Sequence, residues 1–185
     1  MWAVTLTPKG EEVADLLGVI MPMCRQGVSC ATFTLGGEEG VFGLAVADAA
    51  GMVEVWEYTV SGGNGSFRKR DSGRVCDAGL GTVSCMESLG GDGIAYSKGR
   101  GVYVWMGGRG MHLGDVMTGG KVTGLSVGGG GGYVFASSSK GDVWAWRVSA
   151  DGGEGTAVWN RKACEGGCMG IAASYHGLYG ASIAR

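Results

Sequence analysis

The sequence predicts an all-β protein made of repeated small antiparallel sheets. Three segments share one pattern, an apolar run ending in small residues, a glycine-containing turn, and an alternating run closed by tryptophan: 41–60, 93–108 and 133–150. The closing tryptophans are 49 and 41 residues apart: Trp56, Trp105 and Trp146. A repeat of about 40 to 50 residues, in which each unit forms one small sheet, is typical of the blades of a β-propeller.

The composition supports short strands joined by tight turns. The chain has 40 Gly and 2 Pro in 185 residues, and 45% of its residues are hydrophobic. Glycine adopts the positive φ angles of hairpin turns without steric cost, and the apolar content argues against a disordered chain. The glycine run 128–132 separates two apolar runs, so we expect a hairpin loop there.

Strand positions within each repeat follow from alternation and turn residues. The expected strands are 28–35, 41–48, 52–58 and 66–72 in the first unit, 82–88, 93–97, 101–107 and 111–117 in the second, 121–127, 133–139, 142–148 and 156–162 in the third, and 168–174 and 177–184 in the fourth. The sequence therefore predicts an N-terminal segment, 1–27, and propeller blades over 28–185, in units of about 28–72, 82–117, 121–162 and 168–185. About three and a half blades make an incomplete propeller.

The first 20 residues allow two interpretations. Residues 2–7 alternate like a strand. For residues 9–20 we favour a short amphipathic helix, because Thr7 and Pro8 suit its N-terminus and apolar residues recur at helical spacing after them. In the alternative, residues 14–22 form a second strand, and the first and last segments of the chain pair to close a fourth blade.

The third unit resembles a WD-repeat blade, with a turn before a strand that closes on tryptophan. The residue after the tryptophan is Asp in that family, but here it is Glu57, Met106 and Arg147 in the three units. The family's Gly-His pair is also replaced before the third unit, by residues 118–120. The resemblance covers about residues 28–185 and implies degenerate repeats, in which Trp56, Trp105 and Trp146 are structural.

The resemblance implies a non-catalytic scaffold or adaptor, a protein–protein interaction subunit of a larger complex in the cytoplasm or nucleus. Folded proteins avoid open strand edges and apolar faces, so we expect these to be covered by a protein partner that completes or caps the propeller, by a second copy in a homo-oligomer, or by the rest of a larger parent chain. Bulky residues at turns and strand ends are the candidate contact residues: Trp144, Trp159, Tyr103, Arg68, Lys69 and Arg70. We expect the three basic residues in a solvated loop. We also expect Trp144 and Trp146 to face opposite ways.

Two other functions stay open. A subunit of a ribosome-associated or RNA-processing complex is compatible with the sequence, although the net charge of −2 gives no broad basic face for direct nucleic-acid binding. A quinoprotein-like propeller enzyme is the second alternative, because Asp151, Gly155, Thr156 and Trp159 stand where the repeat of pyrroloquinoline-quinone dehydrogenases places such residues. That repeat occurs once here, and the sequence offers no matching set for a quinone and calcium site.

The sequence predicts no catalytic residues, no metal and no cofactor. The six cysteines lie in apolar or glycine-rich contexts and are expected to be free thiols: Cys24, Cys30, Cys76, Cys85, Cys164 and Cys168. The spacing of Cys164 and Cys168 lacks the second pair or histidine of a zinc site. No run of about 18 apolar residues predicts a membrane helix, and the N-terminus lacks a secretory-signal pattern.

Overall fold

The described part of the chain consists almost entirely of antiparallel β-strands, which confirms the predicted fold class. The computed structural model describes residues 2–6, 12–16, 27–35, 41–61, 64–74, 82–91, 93–117, 119–149, 155–174 and 180–184. Within these ranges the one helical segment is a single 3-10 turn at Gly129–Gly131, inside the expected hairpin loop. Residues 12–16, which were expected within a short N-terminal helix, form a strand.

A two-stranded hairpin stands in place of that helix. Strand β1 (Trp2–Leu6) pairs antiparallel with β2 (Glu12–Leu16). The helix predicted over 9–20 is therefore wrong at residues 12–16, and the rest of that interval lies outside the described residues. An isolated helix of about three turns is marginal in water, whereas the backbone groups of β1 need a neighbouring strand for their hydrogen bonds, so pairing prevails.

The remaining strands form three four-stranded sheets and a fourth, two-stranded sheet. Their bounds are β3 (Val28–Leu35), β4 (Val41–Asp48), β5 (Met52–Ser61) and β6 (Asn64–Arg74) in the first sheet; β7 (Val83–Gly90), β8 (Gly93–Lys98), β9 (Gly101–Met106) and β10 (Arg109–Asp115) in the second; β11 (Val122–Gly128), β12 (Tyr133–Ser138), β13 (Asp142–Arg147) and β14 (Thr156–Lys162) in the third; and β15 (Cys168–Ala173) and β16 (Gly180–Ala184) in the fourth. In every sheet the spatial order of the strands is their order in the chain. Each four-stranded sheet is thus an antiparallel meander, as expected of a blade.

The first strands of successive sheets lie side by side. Strand β3 contacts β7, β7 contacts β11, and β11 contacts β15. These four are the inner strands, and the later strands of each sheet extend outwards from them. The sheets therefore follow one another along an arc.

Each pair of neighbouring sheets encloses apolar side chains. We call the face of a sheet that is turned towards the next sheet along the chain its forward face, and the other its backward face. Val53 and Val55 of the first sheet share a buried cluster with Trp105 of the second. Val102 and Val104 of the second share another with Trp146 of the third. In both interfaces a forward face of small or β-branched side chains meets a backward face that carries aromatic rings.

Every inner strand begins with the same irregularity. The pairing of inner and second strands shifts by one residue at 28–30, 83–85, 122–124 and 168–170, which marks a β-bulge in each. A bulge bends its strand and increases the local twist. Because all four sheets carry it at the same point, it is part of the repeat. Its sequence signature was not predicted, and it reads Val-Ser-Cys, Val-Ser-Cys, Val-Thr-Gly and Cys-Met-Gly in the four sheets.

The bulged residue ties the inner strand to the second strand in the first three sheets. The Ser29 hydroxyl donates to the Ala47 carbonyl at 3.1 Å. The Ser84 and Ser97 hydroxyls are 3.0 Å apart, and those of Thr123 and Ser137 are 3.1 Å apart. Ser97 and Ser137 are fully buried, so these bonds satisfy hydroxyls that have no access to water.

Side chains also hold two of the turns between second and third strands. Asp48 Oδ1 accepts hydrogen bonds from the backbone N–H of Ala50 and of Met52, both at 2.8 Å. In the third sheet the Ser138 hydroxyl accepts from the Asp142 N–H at 3.1 Å and donates to the Asp142 carboxylate at 3.2 Å. Local bonds of this kind fix turn geometry, and they set the start of the strand that closes on tryptophan.

Candidate interaction surfaces

Strand β14 presents the most accessible of the aromatic candidate residues, Trp159. It is the outermost strand of the third sheet, and all seven of its residues are exposed. Trp159 stands opposite Ala145 on β13 and keeps 47% of its surface exposed. A large aromatic ring on an outer strand can anchor a second polypeptide, because covering it removes apolar surface from water.

Trp144 and Trp146 lie on the same face of β13, so the expectation that they face opposite ways is wrong. Residues two apart in a strand point to the same side. Their rings stack with centroids 5.8 Å apart and planes inclined by 15°. Trp146 is 1% exposed, whereas Trp144 is half-buried at the edge of the same cluster. Within the described residues the Trp144 indole N–H is buried without a hydrogen-bond partner.

Trp146 is held by the preceding sheet. A side chain built at Gly114 on β10 would place its Cβ 2.7 Å from the Trp146 indole nitrogen. Gly114 has φ of +155° and follows an irregularity in the pairing of β10 with β9. The missing side chain at this point is what allows the second sheet to receive the Trp146 ring.

Tyr103 packs among other rings. Its ring stacks on Tyr96 at 5.2 Å and contacts the His112 ring at 4.7 Å. The His112 Nε2 lies 3.0 Å from an oxygen of Asp115, whose other oxygen pairs with Arg100 at 2.8 Å. Tyr103 is half-buried against the cluster between the first and second sheets, a position in which it contributes to blade packing.

The basic residues 68–70 lie in strand β6, which confirms the outer strand expected at 66–72 and shows that the solvated loop expected for these three residues is wrong. Arg68 is highly exposed and lies 3.7 Å from Glu57, and Lys69 lies 3.5 Å from the buried Glu54. Both carboxylates are on the neighbouring strand β5. Opposite charges side by side on paired strands stabilise the pairing. The side chain of Arg70 is outside the described residues. Charged residues on an outermost strand also discourage edge-to-edge aggregation.

The repeat tryptophans differ in burial. Trp105 and Trp146 are buried, and Trp56 is half-buried. Trp56 donates its indole N–H to Glu54 at 3.2 Å. The first sheet thus keeps part of its tryptophan accessible on a face that the second and third sheets bury.

Four cysteines fall in the described part, and all four are free thiols: Cys30, Cys85, Cys164 and Cys168. Burial raises the pKa of the Cys30 thiol to about 11. Hydrogen bonding with the Ser29 side chain lowers this pKa by less than burial raises it, and the neighbouring Cys85 adds a smaller rise. No group of three or more potential metal-ligating side chains was found in the described ranges. Cys24 and Cys76 lie outside them.

Two adjoining clefts open at the hairpin end between the second and third sheets. The first encloses about 450 Å³ and is lined by turn glycines together with Leu89, Met106 and Val148. The second, of about 680 Å³, adds Arg147 and Thr156. Gly131 has a positive φ and presses against the Leu89 carbonyl, leaving no room for a side chain, so this end of the molecule presents mostly backbone.

Solved β-propellers share this arrangement. The β-propeller domain of Cps50 (Swd1) from Myceliophteria thermophila superposes with a TM-score of 0.63 at 12% identity over 98% of this chain and 58% of that one. The RRP9 WD40 repeats match with a TM-score of 0.56 at 17% identity, over 82% of this chain and 43% of theirs. U3-55K matches with a TM-score of 0.57 at 18% identity, over 82% and 44%.

The chain has the fold of WD40 propeller blades. The resemblance drawn from the sequence is thereby confirmed at the level of the fold. The chain spans about half the length of the solved propellers that it matches. No family model and no curated protein match the sequence.

None of the helical segments in the described ranges has the length and apolar character needed to cross a bilayer.

Proposed function

We propose that this WD40-like chain is a non-catalytic scaffold or adaptor, a subunit that binds other proteins within a larger complex. One observation carries the proposal: the fully exposed outer strand β14, with Val158 and Trp159 each about half exposed. Exposed apolar side chains beside polar ones typify protein-binding surfaces. The outer edge of a sheet can also accept an added strand from a partner.

The basic pair on β6 offers a second contact of different character. Arg68 and Lys69 both lie on the outermost strand of the first sheet, and Arg68 keeps most of its side chain in water. An acidic segment of a partner can reach Arg68 without displacing a buried group. We propose that β14 supplies the apolar contact and β6 an electrostatic one, in a complex located in the cytoplasm or nucleus.

Site-specific photo-crosslinking tests the proposal. A photoreactive phenylalanine analogue replaces Trp159, and the matched control carries it at Lys140, an exposed turn residue of the same sheet. We expect position 159, but not position 140, to give one dominant adduct with another protein in cells. Equal labelling at both positions, or none at 159, contradicts the proposal.

The nature of the adduct separates the alternatives. A protein adduct that co-purifies with ribosomal or RNA-processing particles identifies that narrower function. Direct RNA adducts at position 159 contradict the expectation that nucleic acid is not bound directly. Retention of the adduct after Arg68→Glu shows that β14 acts alone, and its loss shows that β6 contributes to the same partner.

A further inference from the structure

We infer that the backward face of the first sheet binds the forward face of the fourth sheet of a second copy of this chain. The inference rests on the proposed interaction function, since it names one partner for a surface that the scaffold leaves accessible. The observation that supports it is that a forward face already packs against a backward face between the first and second sheets and between the second and third sheets.

The backward face of the first sheet exposes apolar side chains at one end, whereas Val46 and Glu54 on the same face are buried. Phe33, Leu44 and Trp56 are directly paired across three strands and point to the same side. Phe42 stands two residues from Leu44 on that side. Phe33 is 61% and Phe42 53% exposed, and Leu44 and Trp56 are half-buried. Covering these two phenylalanines with another polypeptide would remove apolar surface from water.

The equivalent faces of the next two sheets are covered by a preceding sheet. Trp105 is buried against Val53 and Val55, and Trp146 is buried against Val102 and Val104. The described strands make no comparable packing on the backward face of the first sheet. A surface that matches it is therefore a forward face with small side chains.

The fourth sheet presents such a forward face. A Cβ built at Gly124 of the third sheet would lie 2.9 Å from the Gly170 Cα, so the third sheet touches the fourth there. A Cβ built at Gly170 meets nothing within 4 Å, which places that side of β15 away from the third sheet. Ala172, two residues on, is exposed. This small-residue face corresponds in direction to those that receive Trp105 and Trp146.

A second copy brings the two faces together. Within one chain the first and fourth sheets make no extensive contact among the described strands. A head-to-tail contact between copies continues the interface that already joins sheets one to two and two to three. Such a heterologous contact closes into a ring when the rotation between copies allows it, and otherwise forms an open chain of copies.

Sedimentation equilibrium of the purified full chain tests the inference. We expect the wild type to sediment at twice the 18.8 kDa chain mass or at higher multiples, and Phe33→Glu/Phe42→Glu to sediment at one chain mass. The matched control is Met117→Glu, another exposed apolar residue, 51% exposed at a turn, which should keep the wild-type mass. Far-ultraviolet circular dichroism verifies that each variant retains its strands.

Mixing two variants establishes the head-to-tail geometry. Ala172→Arg alters only the fourth-sheet face and should by itself also give single chains. When it is mixed with Phe33→Glu/Phe42→Glu, one intact face of each kind remains, and we expect mixed pairs of twice the chain mass. A head-to-head contact between first sheets predicts instead that Ala172→Arg leaves the wild-type mass unchanged, an outcome that overturns the inference.

The result is distinguishable from a failure of the proposed function. A wild-type chain that sediments at one chain mass at its highest soluble concentration overturns the inference, whatever position 159 crosslinks in cells. A self-associating chain without protein adducts at position 159 supports the inference and counts against the scaffold function.

Discussion

Trp146 shows how one residue can fix the relation between two blades. Its ring lies between β13 and the glycine at position 114 of the preceding sheet, and it stacks on Trp144. The sequence pointed to this tryptophan through its spacing. The role of Gly114 could not be predicted from the sequence, because a glycine that makes room for a tryptophan ring looks the same in sequence as the many glycines found in turns.

Trp146→Ala should lower the free energy of unfolding by about 3 to 5 kcal/mol, because removal of a fully buried ring leaves a cavity between two sheets. Urea denaturation followed by circular dichroism measures the loss. The control is Trp159→Ala on exposed β14, for which we expect a change within about 0.5 kcal/mol. Similar losses of unfolding free energy in both variants would contradict the conclusion that Trp146 is buried and Trp159 exposed.

The raised pKa of Cys30 predicts a pH dependence. The folded pKa of about 11 lies above the ordinary value of 9.0, so the folded chain holds this proton more tightly than the unfolded chain. The associated stability is fully present below pH 9 and is lost as the pH rises through 11. In Cys30→Ala the fall of unfolding free energy across this interval should be shallower than in wild type. Parallel curves would rule out this thiol as a contributor.

At the scale of strands, the bulge at the start of each inner strand is the repeated structural element. Strand positions could be predicted from alternation and turn residues, since those patterns are local. The bulge could not, because its signature Val-Ser-Cys becomes Val-Thr-Gly and Cys-Met-Gly in later sheets. Strand β1 was predicted, as residues 2–7, but β2 falls where a helix was favoured. Residues 9–20 carry a helical period, and only the presence of a partner strand decides the outcome.

Thr123→Val should destabilise the third sheet by about 1 to 3 kcal/mol, because it keeps the side-chain shape but leaves the buried Ser137 hydroxyl without its partner. Adding Ser137→Ala should recover part of that loss, since no orphaned hydroxyl then stays in the core. Chemical denaturation of the two single variants and the double variant gives the coupling energy. The control Thr156→Val, on exposed β14, should be nearly neutral. Simple additivity at 123 and 137 would contradict the hydrogen bond.

The candidate contact residues were the least predictable part of the site. Trp144, Tyr103 and Trp159 look alike in sequence, as bulky residues near strand ends. The structure leaves Trp159 exposed and packs the other two against sheet interfaces. The exposure of such a residue depends on whether a neighbouring sheet covers its strand. That depends on how the sheets are arranged and cannot be predicted from the adjacent sequence.

On the scale of the whole molecule, each sheet depends on its neighbours. The fourth sheet is attached to the third through the backbone N–H of Ala173, which donates to the Ser126 hydroxyl at 2.9 Å, and through the Gly129 N–H, which donates to the Ser174 carbonyl at 3.4 Å. The period of the tryptophans predicted the blades themselves. The contacts between blades involve residues far apart in sequence and followed only from the structure.

Deletion of residues 168–185 should reduce both stability and solubility, because it uncovers the forward face of the third sheet and removes the bond to Ser126. The soluble fraction after expression and the thermal midpoint measure the effect. Deletion of residues 1–16 is the control, since the β1–β2 hairpin makes no extensive contact with the described strands of the four sheets, and it should be better tolerated. The opposite ranking would show that the hairpin, and not the fourth sheet, supports the arc.

The sequential strand order also has a consequence for synthesis on the ribosome. Each meander pairs its strands with segments that have only just emerged, so a sheet can fold before the next one is translated. The forward face of small side chains is then already in place when the following aromatic face appears. Each new set of rings meets a finished receiving surface, which shortens the time that large apolar side chains spend exposed on the nascent chain.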